Sequence, residues 1–307
     1  MPMAERGNRE MPTFFVIGAA KCGTTSLHYY LDLHPDISMS RVKEPRYFCR
    51  QLADRSEPVV RDRSAYLELF DEGTRHRGES SVRYSDSGAS PGIPEAIARE
   101  AGDARFVYLV RDPIERIASS AQQELASRFP SMSWRTAGAA DSGQLEMTGL
   151  VGEIDDPANP MTGPSRYMTQ IRAYLDFFPS ESILVVDADD LRSDREQTIA
   201  RIFEFLGLPQ FFDRRRMGVE LNREQDKAGF RPLRASPVTA PAARRILARL
   251  PHSTRTRLAL WARRLAGTEI PKPKIERGLR RELEEHLRPE VEELREFTGQ
   301  SFSGWSI

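Results

Sequence analysis

The sequence predicts an α/β fold, a three-layer sandwich with a central parallel sheet flanked by helices. Three observations carry that prediction. Short apolar runs at residues 14–17, 105–110 and 182–187 have strand length and are β-prone, and the run at 105–110 is apolar on both of its faces, as strands covered on both sides are. Segments with helical spacing lie between these runs, and strands alternating with helices imply a parallel sheet. At 307 residues the chain is long enough for one large α/β domain with insertions, or two small ones; we read residues 13–307 as a single domain.

In chain order, residues 1–12 are polar with no apolar signal core and read as a loose tail. After the first strand, Gly18 and Gly23 bracket a tight turn, and Thr24, Thr25 and Ser26 open a helix that His34, Pro35 and Asp36 stop. Residues 37–39 read as a short second strand. Pro45 excludes Glu44 from the right-handed helical region, which puts Glu44 on extended or turning backbone, with Tyr47 and Phe48 as its anchors. Residues 55–62 read as a surface loop, 66–70 as a short helix, 78–84 as a strand end and loop, and 94–101 as a helix with Pro94 in its first turn. The strand at 105–110 leads into Arg111, Asp112 and Pro113 and a helix to about residue 128. Residues 129–164 are rich in Gly, Pro, Ser and Met without a sustained period, which suits a lid or an acceptor-site loop. An amphipathic helix at 167–178, the strand at 182–187 and a helix at 194–206 ended by Gly207 follow. Residues 223–241 form a basic loop, 242–266 a basic helical stretch, and 277–297 one charged helix or two broken at Pro289; Trp305 is expected to tuck the C-terminus onto the domain.

Composition narrows the partners. Lys and Arg together number 45, as do Asp and Glu, so nothing points to nucleic acid or an anionic membrane. Two cysteines, Cys22 and Cys49, make no disulfide framework and suit reducing conditions. No apolar run reaches membrane-span length. A cytoplasmic protein is the simplest reading.

The chemistry concentrates at residues 14–27. A helix N-terminus after a glycine-containing turn presents backbone N–H groups and a positive dipole end, which is an anion site. Lys21 adds a cation, and Thr24, Thr25 and Ser26 add hydroxyls. The reading is a phosphate-binding loop on a P-loop-like sandwich; the alternative is a strand–helix corner with a solvated lysine. In the Walker A pattern the lysine follows the second glycine; here Lys21 precedes Gly23, which argues against an ordinary NTPase.

That spacing resembles the 5′-phosphosulfate loop of sulfotransferases that use 3′-phosphoadenosine-5′-phosphosulfate (PAPS), and the chain looks closer to the heparan sulfate N- and O-sulfotransferase branch and its bacterial relatives than to the phenol and steroid enzymes. The resemblance covers residues 14–48, 79–84, 106–123 and 167–208. It implies that Lys21, Cys22, Gly23, Thr24, Thr25 and Ser26 hold the phosphosulfate, with Lys21 also catalytic. It further implies that Arg111 and Ser119, eight residues apart, bind the 3′-phosphate, the alternative being an Arg111–Asp112 ion pair. Glu44 falls where that branch carries its catalytic carboxylate; the alternative is a salt bridge to Lys43 or Arg46. Lys227, Gly229, Phe230 and Arg231 loosely resemble a late loop that packs over the nucleotide, or form a plain basic loop. One departure stands out: where the branch has Glu-Lys-Thr before a tyrosine, this chain has Glu79, Ser80 and Ser81 before Tyr84, and Arg83 is the nearby cation. None of the histidines lies in a catalytic context, and His28 and His34 read as packing or helix-end residues. Cys22 is assigned no chemistry.

The function expected is transfer of a sulfuryl group from PAPS to a hydroxyl, less readily an amine, of a small-molecule or glycan acceptor, with 3′,5′-adenosine diphosphate (PAP) as product and no metal. The rivals are a P-loop kinase or NTPase, for which Asp187 and Asp189 are candidate metal carboxylates, and a non-catalytic nucleotide-binding protein on the same fold. The acceptor and the oligomeric state are not legible in the sequence.

Overall fold

The computed structural model describes residues 11–49, 59–74, 76–86, 88, 90–128, 151–156, 158–218, 228–230, 267–269 and 272–307. A five-stranded sheet runs through its centre in the order β2-β3-β1-β4-β5. The strands are β1 (Phe14–Gly18), β2 (Ile37–Met39), β3 (His76–Ser80), β4 (Arg105–Val110) and β5 (Ile183–Asp187). Every pairing is parallel, as expected. Phe14, Phe15, Val16 and Ile17, and residues 106–110 of β4, are at most 1% exposed, so both sheet faces are covered. The fold is an α/β three-layer sandwich.

Helices fill the crossovers: α1 (Thr24–Leu31), α2 (Arg63–Leu67), α3 (Ile93–Glu100), α4 (Pro113–Arg128), α5 (Tyr167–Leu175), α6 (Ala188–Ser193), α7 (Arg195–Leu206), α8 (Arg214–Met217) and α9 (Arg277–Thr298). The second helix begins three residues before its predicted start, because the Asp62 carboxylate caps it by accepting from Ala65 N at 2.9 Å. Helix α9 runs unbroken through Pro289. An interior proline costs about 3 kcal/mol. Leu279, Leu283, Leu287, Val291 and Leu294 form one buried stripe across it, and each such side chain contributes about 1.5–3 kcal/mol when buried.

Some elements were not foreseen. Helices α6 and α8 are short, and each starts on an aspartate cap, Asp187 and Asp213. Strands β6 (Ala228–Phe230) and β7 (Gly267–Glu269) pair antiparallel, across a separation that leaves no local sequence signal. Met11, expected in the loose tail, is 1% exposed and part of the core. Trp305 does fasten the C-terminal segment: its Nε1–H donates to Asp187 Oδ2 at 2.9 Å, and Ser306 N–H donates to Asp112 Oδ2 at 2.5 Å.

Candidate active site

Strands β3, β1 and β4 are neighbours, so the loops leaving their carboxyl ends meet at one edge, where open parallel sheets take ligands. The loop after β1 is drawn tightly onto β4: Ala19 N–H donates to Leu109 O at 2.5 Å. Gly18 has no room for a side chain, because a Cβ there would fall on Ser85 Oγ. Lys21 (φ 73°) and Gly23 (φ 90°) are both left-handed, and this curls the loop before α1 begins. Gly23 caps α1 without a side-chain acceptor, so the helix N-terminus is left to whatever anion occupies the loop. Within the loop, Cys22 N–H turns back to Ala19 O at 3.2 Å and Ser26 N–H to Gly23 O at 3.0 Å. The Lys21 ammonium donates to Gln123 Oε1 of α4, which brings the β1 and β4 crossovers together. Cys22 is buried, and burial pushes its thiol up to about 11 against the pull of Arg116 and Arg111; it is not a thiolate at neutral pH.

At the exit of β4, Arg111 is anchored by Tyr167, whose hydroxyl donates to Arg111 O at 2.6 Å. The Arg111 guanidinium lies 3.5 Å from Glu115 Oε2, with its side chain 12% exposed. Among the described residues its carboxylate partner is Glu115 and not the adjacent Asp112. The Asp112 carboxylate instead accepts from Ile114 N at 2.8 Å and Glu115 N at 3.1 Å, the N-terminal capping role of a short acidic side chain. Ser119 lies two turns into α4 and is 2% exposed. Arg116, fully buried, ties α4 to the segment after residue 150: its Nε donates to Ser165 Oγ at 2.5 Å, and its Nη2 to Met161 O. Asn159 closes that segment, donating to Val151 O and Glu153 O, both at 2.6 Å, and accepting from Met161 N at 2.7 Å. The described part of the expected acceptor-site loop is therefore packed structure.

The third loop carries Glu44. Pro45 does keep Glu44 out of the right-handed region, but its φ is 62°, and that of Arg46 is 54°: both are left-handed, not extended. Glu44 N–H donates to Ser80 O at 3.0 Å, and Val82 N–H donates to Glu44 Oε2 at 3.0 Å. Lys43 Nζ is 2.6 Å from Oε1 and Arg46 Nε 3.7 Å from Oε2. Next to it, Glu79 is fully buried, accepting from Ser81 Oγ at 2.6 Å and from the Tyr66 hydroxyl. Burial raises its carboxyl to about 7 despite those hydrogen bonds. Ser80 points into the core, 2.9 Å from His28 Nδ1, and both residues are fully buried.

This arrangement, an anion-ready helix N-terminus with an arginine on the adjacent strand exit, coincides with a family match: the model of the sulfotransferase domain fits residues 11–243. The chain belongs to the sulfotransferase family. The human bifunctional heparan sulfate N-deacetylase/N-sulfotransferase 2 is 25% identical over 211 residues, covering 66% of this chain and 23% of that protein. Human carbohydrate sulfotransferase 15 is 25% identical over 249 residues, covering 65% and 44%. Mouse heparan sulfate glucosamine 3-O-sulfotransferase 3A1 is 24% identical over 212 residues, covering 67% and 48%. The chain thus spans less than half the length of these curated relatives. A solved sulfotransferase from Alicyclobacillus acidocaldarius has a TM-score of 0.62 at 23% identity, covering 97% of this chain and 99% of that one, which shows a shared fold.

In this chain Lys21 and Arg111 lie at the exits of the neighbouring strands β1 and β4, and Glu44, on the loop after β2, is bonded to the end of β3 through Ser80 O. Lys227 and Arg231 lie outside the described residues, and Gly229 and Phe230 are described only as backbone of β6. His28 and His34 are packing residues as expected; His34 Nε2 meets Pro209 O at 3.0 Å. Asp187 caps α6 and holds Trp305, which occupies it otherwise than a metal would. Among the described residues no cluster of three or more His, Cys, Asp or Glu is placed for a metal, and no helix is long and apolar enough to cross a membrane. Sequence reasoning missed Gln123, Arg116 and the tie from Tyr167 to Arg111. Their only signal is spacing on α4 and α5, which becomes meaningful once the helices are packed.

Proposed function

We propose that this sulfotransferase moves a sulfuryl group from PAPS to a hydroxyl, or less readily an amine, of a carbohydrate or small-molecule acceptor. The observation that carries the reading is the uncapped N-terminus of α1 beside Lys21, at the strand edge shared with Arg111. These residues fit the donor: an N-terminal anion seat, a lysine and an arginine suit a nucleotide carrying two separate phosphate groups. We assign the 5′-phosphosulfate to the N–H groups of Gly23, Thr24 and Thr25, since those of Cys22 and Ser26 are engaged inside the loop, with the hydroxyls of Thr24, Thr25 and Ser26 and the Lys21 ammonium around it. Arg111, released from Glu115, and Ser119 hold the 3′-phosphate, which separates PAPS from ATP.

Bound PAPS supplies an activated sulfuryl group, whose S–O bond to the 5′-phosphate breaks as the bond to the acceptor forms, leaving PAP. Lys21 neutralises charge growing on the departing phosphate oxygen. Glu44, aimed by Val82 N–H, takes the acceptor proton. Carbohydrate acceptors are favoured by the relatives, whose names specify heparan sulfate or carbohydrate. Two free, buried cysteines support a reducing, cytoplasmic setting, and residues 13–307 act as one domain.

The test is an acceptor screen with labelled PAPS, read by mass spectrometry for an added sulfo group, run beside Glu44→Gln. Turnover should fall roughly 10²–10⁴-fold in the variant for a hydroxyl acceptor, with PAP binding intact. If no acceptor gains a sulfo group while PAP binds, the chain is a nucleotide-binding protein on this fold; if ATP binds and PAP does not, the kinase reading replaces ours.

A further inference from the structure

We infer that Lys43 is the positioning residue for Glu44, supplying the charge that the strand end at Ser80 lacks. The inference rests on Glu44 being the base. Side chains of successive residues on extended backbone point to opposite faces, so a lysine next to a glutamate does not ordinarily pair with it. Here the left-handed Glu44 and Arg46 on either side of Pro45 fold the chain so that Lys43 and Arg46 both turn onto the Glu44 carboxylate. Left-handed backbone is uncommon for residues with a Cβ, and it concentrates where surrounding structure enforces it at functional sites. The enforcing contacts are Glu44 N–H to Ser80 O at 3.0 Å, Arg46 N–H to Ser81 Oγ at 3.3 Å and Val60 N–H to Pro45 O at 2.9 Å.

The two carboxylate oxygens are held differently. Oε2 receives a fixed backbone N–H from Val82 at 3.0 Å, with Arg46 at 3.7 Å. Oε1 is held by the Lys43 ammonium at 2.6 Å. A backbone N–H cannot move aside, whereas an ammonium on a four-carbon stem can. Oε1 is therefore the oxygen that receives the acceptor proton, and Lys43 keeps it aimed until the acceptor arrives. The Lys43 side chain is 13% exposed and that of Glu44 21%, so this pair is far less screened than a surface ion pair. Ser80 faces His28 in the core and brings no charge to the site, although the resemblance implies a lysine there, and Arg83 directs its Nε to Ser90 Oγ at 2.9 Å.

The experiment is a double-mutant cycle on Lys43→Met and Glu44→Gln in the full chain, measuring kcat and KM with the acceptor found above and PAP affinity by calorimetry. Lys43→Met should lower kcat ~10–100-fold, the range carried by one charge-assisted hydrogen bond, with PAP affinity unchanged. Lys43→Arg should recover most of the loss. The double variant should be no slower than Glu44→Gln alone, because a positioning residue has nothing left to position. Unchanged kcat in Lys43→Met, weakened PAP binding, or a double variant as slow as the product of the two single losses would each overturn the inference. Full activity of Glu44→Gln would instead overturn the assignment of the base. Lys43→Gln, which keeps a hydrogen-bond donor without the charge, carries the same expectations should Lys43→Met not fold.

Discussion

Glu79→Gln separates a buried structural carboxylate from the neighbouring base. Glu79 is fully buried, with hydroxyl donors Tyr66 and Ser81 on its two oxygens, and burial is the first cause of its carboxyl being raised from 4.5 to about 7. A raised carboxyl means that the folded chain binds the proton more tightly than the unfolded chain does. Ionisation of Glu79 therefore erodes stability as pH climbs from 4.5 to 7, and above 7 the loss is complete and constant. At about 1.4 kcal/mol per unit the full loss is on the order of 3 kcal/mol. Gln matches the protonated acid in shape and never ionises, so near pH 4.5 parent and variant should unfold at similar urea concentrations. By pH 8 the variant should be ahead by roughly that amount, read as the difference in unfolding free energy from urea titrations at several pH values. Its turnover at pH 8 should stay near that of the parent, because Glu79 has no exposure through which to reach an acceptor. Stability curves that run parallel across this pH range would refute the burial argument. Loss of turnover in Glu79→Gln while Glu44→Gln stays active would move the base to Glu79.

Three further outcomes are expected. Lys21→Ala should lower turnover more than it weakens PAP, since its main role is at developing charge; an unchanged turnover number would make its contact with Gln123 merely structural. Arg111→Ala should weaken PAP by roughly 1.5–3 kcal/mol while leaving adenosine 5′-phosphosulfate, which has no 3′-phosphate, nearly untouched; equal losses by calorimetry would remove Arg111 from the 3′-site. Trp305→Phe deletes the donor to Asp187 Oδ2 and should cost about 1–3 kcal/mol in urea unfolding, the penalty for stranding a buried acceptor; an unchanged midpoint would show the tail to be energetically idle.

The sheet was legible because strands covered on both faces leave continuous apolar runs, and β4 matches its predicted bounds. Placement of the three loops followed from parallel topology alone. The geometry at Glu44 was only half legible. The proline rule excludes one region of backbone space without choosing between those that remain, and the choice of the left-handed one depends on hydrogen bonds accepted by Ser80 O and Ser81 Oγ and donated by Val60 N–H, all distant in sequence. The salt bridge of Glu44 to Lys43 or Arg46, weighed in the sequence as the alternative to a catalytic Glu44, is present with both partners. The Arg111–Asp112 ion pair, weighed only as an alternative, is not formed: a helix starting at Pro113 needs a cap, and Asp112 supplies it.

The joints between the C-terminal segment and the sheet also bear on how the protein is made. Asp112 and Asp187, at the exits of β4 and β5, receive Ser306 and Trp305. On a ribosome adding ~5–20 residues per second, the turn that carries Arg111 waits on the order of 10–40 s for the residues that complete it. During that interval the nascent sheet has its strands but lacks its final clasp. Nucleotide affinity should therefore appear only after Trp305 and Ser306 have been added, later than the sheet itself.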